Sequence, residues 1–249
     1  MDIIQSNREF MKSQFGKVGR AVSDQARGLP YPPLQKALDN AAQRIKLPKP
    51  DSAVLNCNEL DACLRKRRSR RNFSKDALAQ AELAYLLWAT QGVQEVVDDG
   101  YCTLRPAPSA GARHPFETYL AVNRVERLKP GVYRYLPLTH ELVLEFAEHN
   151  TAAKLTEACL GQSFVGTAPV AFIWTCIPYR CEWRYVTLAH KVMLIDAGHL
   201  CQNLYLAAEA MGCGTCGIGA YDQEAMDALI HVDGEDEYVV YLAPVGKLA

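Results

Sequence analysis

The sequence has no apolar run approaching the ~18 residues of a membrane-crossing helix. Its first residues, MDIIQSNREFMKSQFGK, lack the apolar stretch of a secretion signal. A cytoplasmic protein without a membrane partner is therefore expected. There is no large excess of charge either: 27 Lys+Arg stand against 28 Asp+Glu, a formal net charge of -1. That balance argues against whole-surface nucleic-acid binding and leaves room for a local basic patch. Repeats, low-complexity tracts, HExxH and Walker motifs and a Ser/His/Asp order are all missing. The six histidines are scattered, and no metal site is expected. The nine cysteines are an odd count in a chain read as cytosolic, which excludes a disulfide framework. A chain of 249 residues can bury a full core without such staples.

What is present reads as an arm, 1–56, followed by one domain, 57–249. Pro30, Pro32, Pro33, Pro48 and Pro50 punctuate the arm, with a short helix expected between Leu34 and Ile45. Helical spacing recurs from Asn58, over Leu78 to Gln91, over Ala152 to Leu160, and over Leu188 to Met211. The last of these is apolar nearly all round, so it is expected to be buried, with His199 as a satisfied core histidine. Asp222 reads as the N-cap of a final helix to Ile230. Strands are expected at Glu117 to Val122, Val132 to Tyr135, Leu142 to Phe146, Pro169 to Thr175 and Tyr238 to Leu242. The strand from Pro169 has no alternation, which fits a central strand covered on both faces. The class is α+β, with a mostly antiparallel sheet and helices flanking it.

Three segments carry chemistry. Six of the seven residues from Arg65 to Arg71 are cationic, with Ser69 among them. Guanidinium groups grip phosphate bidentately, so the cluster suits an anion. A solvated charge run and a nucleic-acid contact are the alternatives. Arg105 to Pro115 holds two prolines before a Ser-Ala-Gly core and closes with His-Pro, a loop whose small residues let a ligand approach the backbone. Gly212 to Ala220 holds four glycines before the cap Asp222. It follows a helix, so it is not a dinucleotide-binding fingerprint. Its Cys213 and Cys216 have CxxC spacing but no second ligand pair for zinc. They are either inert packing groups or a redox relay.

Taken in order, these segments resemble the nitroreductase fold family of flavin enzymes. The resemblance rests on Arg67 to Phe73, Pro108 to Gly111, the long helix, Gly217 to Ala220 and Pro244 to Gly246. It covers about residues 58–246. Within the family the chain is similar to the SagB-type dehydrogenases, which oxidise azoline rings in modified peptides. The stretches at 86–93, 108–115, 131–135 and 196–208 carry that similarity.

The resemblance implies an intertwined homodimer with FMN at the subunit interface and the helix from 188 to 211 as the dimer core. Arg67, Arg68, Ser69 and Arg71 would hold the phosphate and ribityl chain, with Lys247 as a further cation. Pro108, Ser109, Ala110 and Gly111 would come from the other subunit against the ring. Gly217, Ile218, Gly219 and Ala220 would cover its other side, with the Gly219 N–H toward flavin N5. Many family members carry Glu before the glycine of that turn; here the position is Gly219, so only backbone acts. Arg184 and Tyr185 stand where azoline-oxidising relatives carry a Lys-Tyr pair. Arginine is no general base at neutral pH, while Tyr185 can position or protonate a substrate. The implied activity is ping-pong hydride transfer at flavin N5, using NAD(P)H or an organic substrate. The alternatives are an azoline dehydrogenase or oxidase acting on a modified peptide, and a flavin-binding protein without turnover.

Overall fold

A computed structural model describes residues 2–16, 22–39 and 41–249. Its strands are β1 (Arg44–Lys46), β2 (Glu95–Val97), β3 (Cys102–Leu104), β4 (Phe116–Val122), β5 (Gly131–Leu136), β6 (Glu141–Phe146), β7 (Val170–Cys176), β8 (Cys213–Thr215) and β9 (Tyr238–Lys247). The α-helices are α1 (Ile3–Met11), α2 (Leu60–Lys66), α3 (Gln80–Gln91), α4 (Thr151–Ala158), α5 (Ser163–Thr167), α6 (Tyr179–Tyr185), α7 (Ala189–Ala210) and α8 (Gln223–Leu229). Seven strands form one sheet in the order β1-β6-β5-β4-β7-β9-β8, with every pairing antiparallel. β2 and β3 make a separate hairpin. The α+β class and the antiparallel sheet are as the sequence indicates.

β4 and β7 pair at the sheet centre, and every residue of both is buried. Strand side chains alternate between faces. Leu120, Val122, Phe172 and Trp174 therefore enter one core with Leu83 and Leu87 of α3 and Leu200 and Leu204 of α7. Tyr119, Ala121, Ala171 and Ile173 enter a second core with Leu155 of α4 and Met226 of α8. Helices thus cover both faces, which explains the uninterrupted apolar sequence of β7. Asp222 caps α8, its side chain accepting from Ala225 N.

Several details differ from the sequence reading or add to it. No helix forms among the described residues from Leu34 to Ile45; instead Arg44–Lys46 pairs with β6 as an edge strand. The glycine-rich segment opens with a strand, because Cys213 to Thr215 pairs with β9. On α7, Leu194 is 54% and Ile195 49% exposed in the single chain, on the helix that the resemblance makes the dimer core. His199 is half-buried and its Nδ1 lacks a partner, so it is not a satisfied core histidine. Leu60 and Leu64 of α2 are exposed as well, leaving only Cys63 of that helix buried.

The arm is held by charge. Glu117 of β4 accepts from the Lys36 amide at 2.8 Å and from Arg180 Nη2 at 2.5 Å. Arg134 donates to the carbonyls of Lys36 and Ala37 and pairs with Glu145 at 2.6 Å. The Lys36 ammonium meets Glu237 and Tyr119. Main-chain groups of the arm thus serve as partners for buried ions of the sheet.

Candidate functional site

Arg67 follows α2, and the chain then runs along the sheet edge. Ser69 bridges Thr215, and the Arg70 amide donates to the Thr215 carbonyl at 2.9 Å. This docks the basic segment beside the glycine turn. Tyr205 of α7 ties the two together. Its hydroxyl lies 2.9 Å from Ser69 Oγ, accepts from Gly217 N at 2.8 Å, and its ring carries the Arg67 guanidinium at 5.4 Å. Arg71 stands over Phe164, and Arg68 donates to the carbonyls of Arg65 and Arg67. Arg65 spends its charge on Asp61. Among the described residues, none of Arg67, Arg68, Arg70 or Arg71 has a carboxylate within ion-pair distance. Arg70 Nε is buried without a partner. A buried donor of that kind is costly until an acceptor reaches it.

The turn itself is half open. Ile218 is buried and exchanges backbone hydrogen bonds with Leu242. Gly219 and Ala220 are exposed, and a Cβ at Gly219 would meet nothing within 4 Å. Lys247 lies 3.6 Å from Glu82, so its charge is partly answered within the chain. Unpaired guanidiniums, the Ser69 hydroxyl and an open glycine backbone make a donor set that fits a phosphate-bearing group with a flat ring.

The loop from Pro108 to Gly111 lies elsewhere on α7. Asp196, nine positions before Tyr205 and so about 13 Å along the helix, accepts from Ser109 Oγ at 2.6 Å and Ala110 N at 3.0 Å. Ser109 Oγ also accepts from His114 N. Ser109 Oγ and Ala110 N are thus engaged by Asp196 within the chain, and Pro108 is the exposed residue of the loop. Gly111, Ala112 and His114 all have φ between +44° and +58°, and two of them are not glycine. Such backbone is strained and characteristic of functional loops. Arg184 and Tyr185 pack under Gly111, where a Cβ would lie 2.6 Å from Tyr185 Oη.

The site has members that the sequence reading does not single out. Tyr205 and Asp196 are the two anchors on α7. Arg113 is buried, donates to the Gly111 and Tyr101 carbonyls, and stacks on the rings of Tyr101 and Trp183. The isolated polar residues in an apolar helix were the available signal for the first two.

The two cysteines of the turn do not form a pair. Cys213 belongs to the core containing α7 and Cys216 to the core on the other face of the sheet. Burial pushes the Cys213 thiol up to about 12, so no reactive thiolate forms there at neutral pH.

His114 is buried with Nε2 3.0 Å from the Thr103 carbonyl. Burial, and then the Arg105 cation, bring it down to about 3. The unfolded chain takes up this proton near pH 6.5 and the folded chain only near 3. Over that window the unfolded state binds more protons, so stability falls as pH falls. Urea unfolding between pH 7 and 4 should show a loss approaching ~1.4 kcal/mol per pH unit from this group. His114→Gln should flatten the slope; an unchanged slope would remove His114 as its source.

Comparison with known proteins matches this arrangement to one family. A nitroreductase-named protein of Methanocaldococcus jannaschii is 32% identical over 189 residues, covering 76% of this chain and 91% of that protein. The crystal structure of a nitroreductase-named protein from Ralstonia eutropha superposes with a TM-score of 0.69 at 28% identity, covering 89% of this chain and 99% of that one. The trifolitoxin-processing protein TfxB of Rhizobium leguminosarum is 37% identical over 113 residues, which is 43% of this chain and 30% of TfxB. Residues 64–247 match the Nitroreductase family, and the chain is an oxidoreductase belonging to it.

Proposed function

We propose that the protein is an FMN-dependent oxidoreductase that works as a homodimer, reduced by NAD(P)H or an organic substrate in a ping-pong cycle. The observation that carries this reading is the set of guanidiniums at Arg67, Arg68 and Arg71, unanswered by any carboxylate among the described residues and docked beside the exposed Gly219. FMN, when bound, supplies two-electron hydride chemistry. The chain supplies the rest. Arg67, Arg68, Ser69 and Arg71 hold the phosphate and ribityl chain, and Arg70 offers its buried Nε. Tyr205 fixes the distance between Ser69 and Gly217. Gly219 offers its backbone N–H as the only donor of that position. Lys247 adds positive charge behind Cys213, its strand partner. Residues 57–249 form the FMN-binding domain and the arm wraps it.

The apolar face supports the homodimer. Leu194 and Ile195 of α7 and Leu60 and Leu64 of α2 are exposed. A groove of about 250 Å³ adjoins α2, lined by Leu55, Leu60, Tyr85, Trp88 and Leu206. Exposed apolar area on helices of this kind marks an interface. In the dimer, the Pro108 to Gly111 loop of one subunit would face the ring held by the other.

The similarity to TfxB favours a second reading, a dehydrogenase or oxidase acting on a modified peptide. The visible spectrum of the purified protein and its response to NADPH separate the cases. A yellow protein bleached by NADPH is expected. A flavin that NADPH leaves oxidised points to the second reading, and a protein that takes up no added FMN removes both.

A further inference from the structure

We propose that Cys57 and Cys63 are a dithiol that a peroxide converts to a disulfide across the start of α2. The reaction is independent of the FMN reading. Of the nine cysteines, eight are buried and Cys57 alone is half-buried. The Cys63 thiol hydrogen-bonds to Cys57, whose own thiol points to the Glu59 carbonyl at 3.8 Å. Both cysteines line the groove of about 250 Å³ beside α2. The pair thus combines contact between its sulfurs with open space beside them.

The chain holds the two sulfurs together. Cys57 stands two positions before the N-cap Glu59, and Cys63 is the fourth residue of α2 and its one buried residue. The Asn56 and Cys57 amides both donate to the Ala210 carbonyl at the end of α7, at 2.8 and 3.0 Å. This anchors Cys57 over the first turn of α2. Two other pairs of cysteines are neighbours in the fold, Cys176 with Cys181 and Cys201 with Cys216. All four are 3% exposed or less, so no oxidant meets them in the folded chain.

Burial first, then the Cys57 thiol and the Glu209 carboxylate, push the Cys63 thiol up, against the pull of Lys66. The thiolate is the nucleophile, so Cys57 meets the oxidant first and Cys63 follows. The Cys57 sulfur attacks one oxygen of hydrogen peroxide and the O–O bond breaks. Cys57 becomes a sulfenic acid and one water is released. The Cys63 sulfur then attacks the Cys57 sulfur. The S–S bond forms, and the displaced hydroxide takes the Cys63 proton and leaves as a second water. Two thiols have then given two electrons to the peroxide, and a dithiol reductant reverses the change. The bond ties α2, which runs directly into Arg67, to the end of α7.

The test treats reduced protein with hydrogen peroxide, alkylates it, and cuts it before Asp61, which lies between the two cysteines. The groove lies on the face offered for the homodimer, so an oxidant of two heavy atoms is used in place of a larger one. The fragments carrying Cys57 and Cys63 should stay joined until dithiothreitol is added, with two of the nine thiols lost. Cys63→Ser should stop at the sulfenic acid, trapped on Cys57 by dimedone. Cys57→Ser should keep all its thiols at the same dose. The oxidised protein should melt at or above the temperature of the reduced one, because a ring closed within the native fold restricts the unfolded chain. Fragments that separate without reductant overturn the proposal. So do Cys57 joined to any other cysteine and equal loss across the nine thiols. A cross-link that lowers the melt also overturns it, since the bond would then form only by unfolding.

Discussion

Replacing Arg67 and Arg71 together by alanine will give a folded protein that no longer retains FMN. Neither guanidinium has a carboxylate partner among the described residues, so removing it leaves no buried anion behind. Their contacts within the chain are the rings of Tyr205 and Phe164, at 5.4 and 6.0 Å. Loss of these surface contacts costs little stability. The phosphate they would hold is another matter. A charge-assisted contact contributes about 1.5–3 kcal/mol, or roughly 10- to 100-fold in affinity. The double variant should therefore bind FMN about 10²- to 10⁴-fold more weakly. Quenching of FMN fluorescence gives the Kd, and a thermal melt reports the fold. An unchanged Kd with an unchanged melt would remove the phosphate assignment. A collapsed melt would instead show that these cations serve the structure. The intermediate variant Arg71→Lys keeps the charge and loses the fork, so it should fall between the two.

Elements that depend on local pattern were legible in the sequence. β7 announces itself as a central strand because both of its faces are covered, and α8 because Asp222 caps it. Elements that exist only through distant partners were not. β1 is Arg-Ile-Lys, with a single apolar residue, and it forms because the edge of β6 lies open beside it. The same holds for the site. The cation run and the glycine turn are visible as composition, but their connector is not. Tyr205 meets Ser69 across 136 positions and Asp196 meets Ser109 across 87. In the sequence each is one polar residue in an apolar helix, with nothing to say which face it occupies. The apolarity of α7 reads as burial, and Leu194 and Ile195, exposed in the single chain, lie on the helix that the resemblance makes the dimer core. Apolar spacing shows that a face avoids water, not whether its own chain or another covers it.

The largest effect on stability should come from Glu117, at the root of the arm. Its side chain is 2% exposed, between Arg180 at 2.5 Å and Arg134 at 3.9 Å, each 4% exposed. Removing the carboxylate leaves Arg180 buried and uncompensated, which typically costs about 3–5 kcal/mol. Arg134 loses less, because Glu145 remains 2.6 Å from its Nε. The Lys36 amide also loses its acceptor. Glu117→Ala should therefore lower the melting temperature by roughly 6–20 °C, at about 2–4 °C per kcal/mol for a chain of this size. It should also expose the arm near Lys36 to limited proteolysis before the sheet unfolds. Arg180→Met alone should cost less, since Glu117 keeps the Lys36 amide and Arg134. Adding it to Glu117→Ala should recover part of the loss, because the unpaired cation disappears. Strict additivity of the two single losses in urea unfolding would show that the pair is not coupled. A melt of Glu117→Ala equal to wild type would show that the arm is held by its apolar contacts alone.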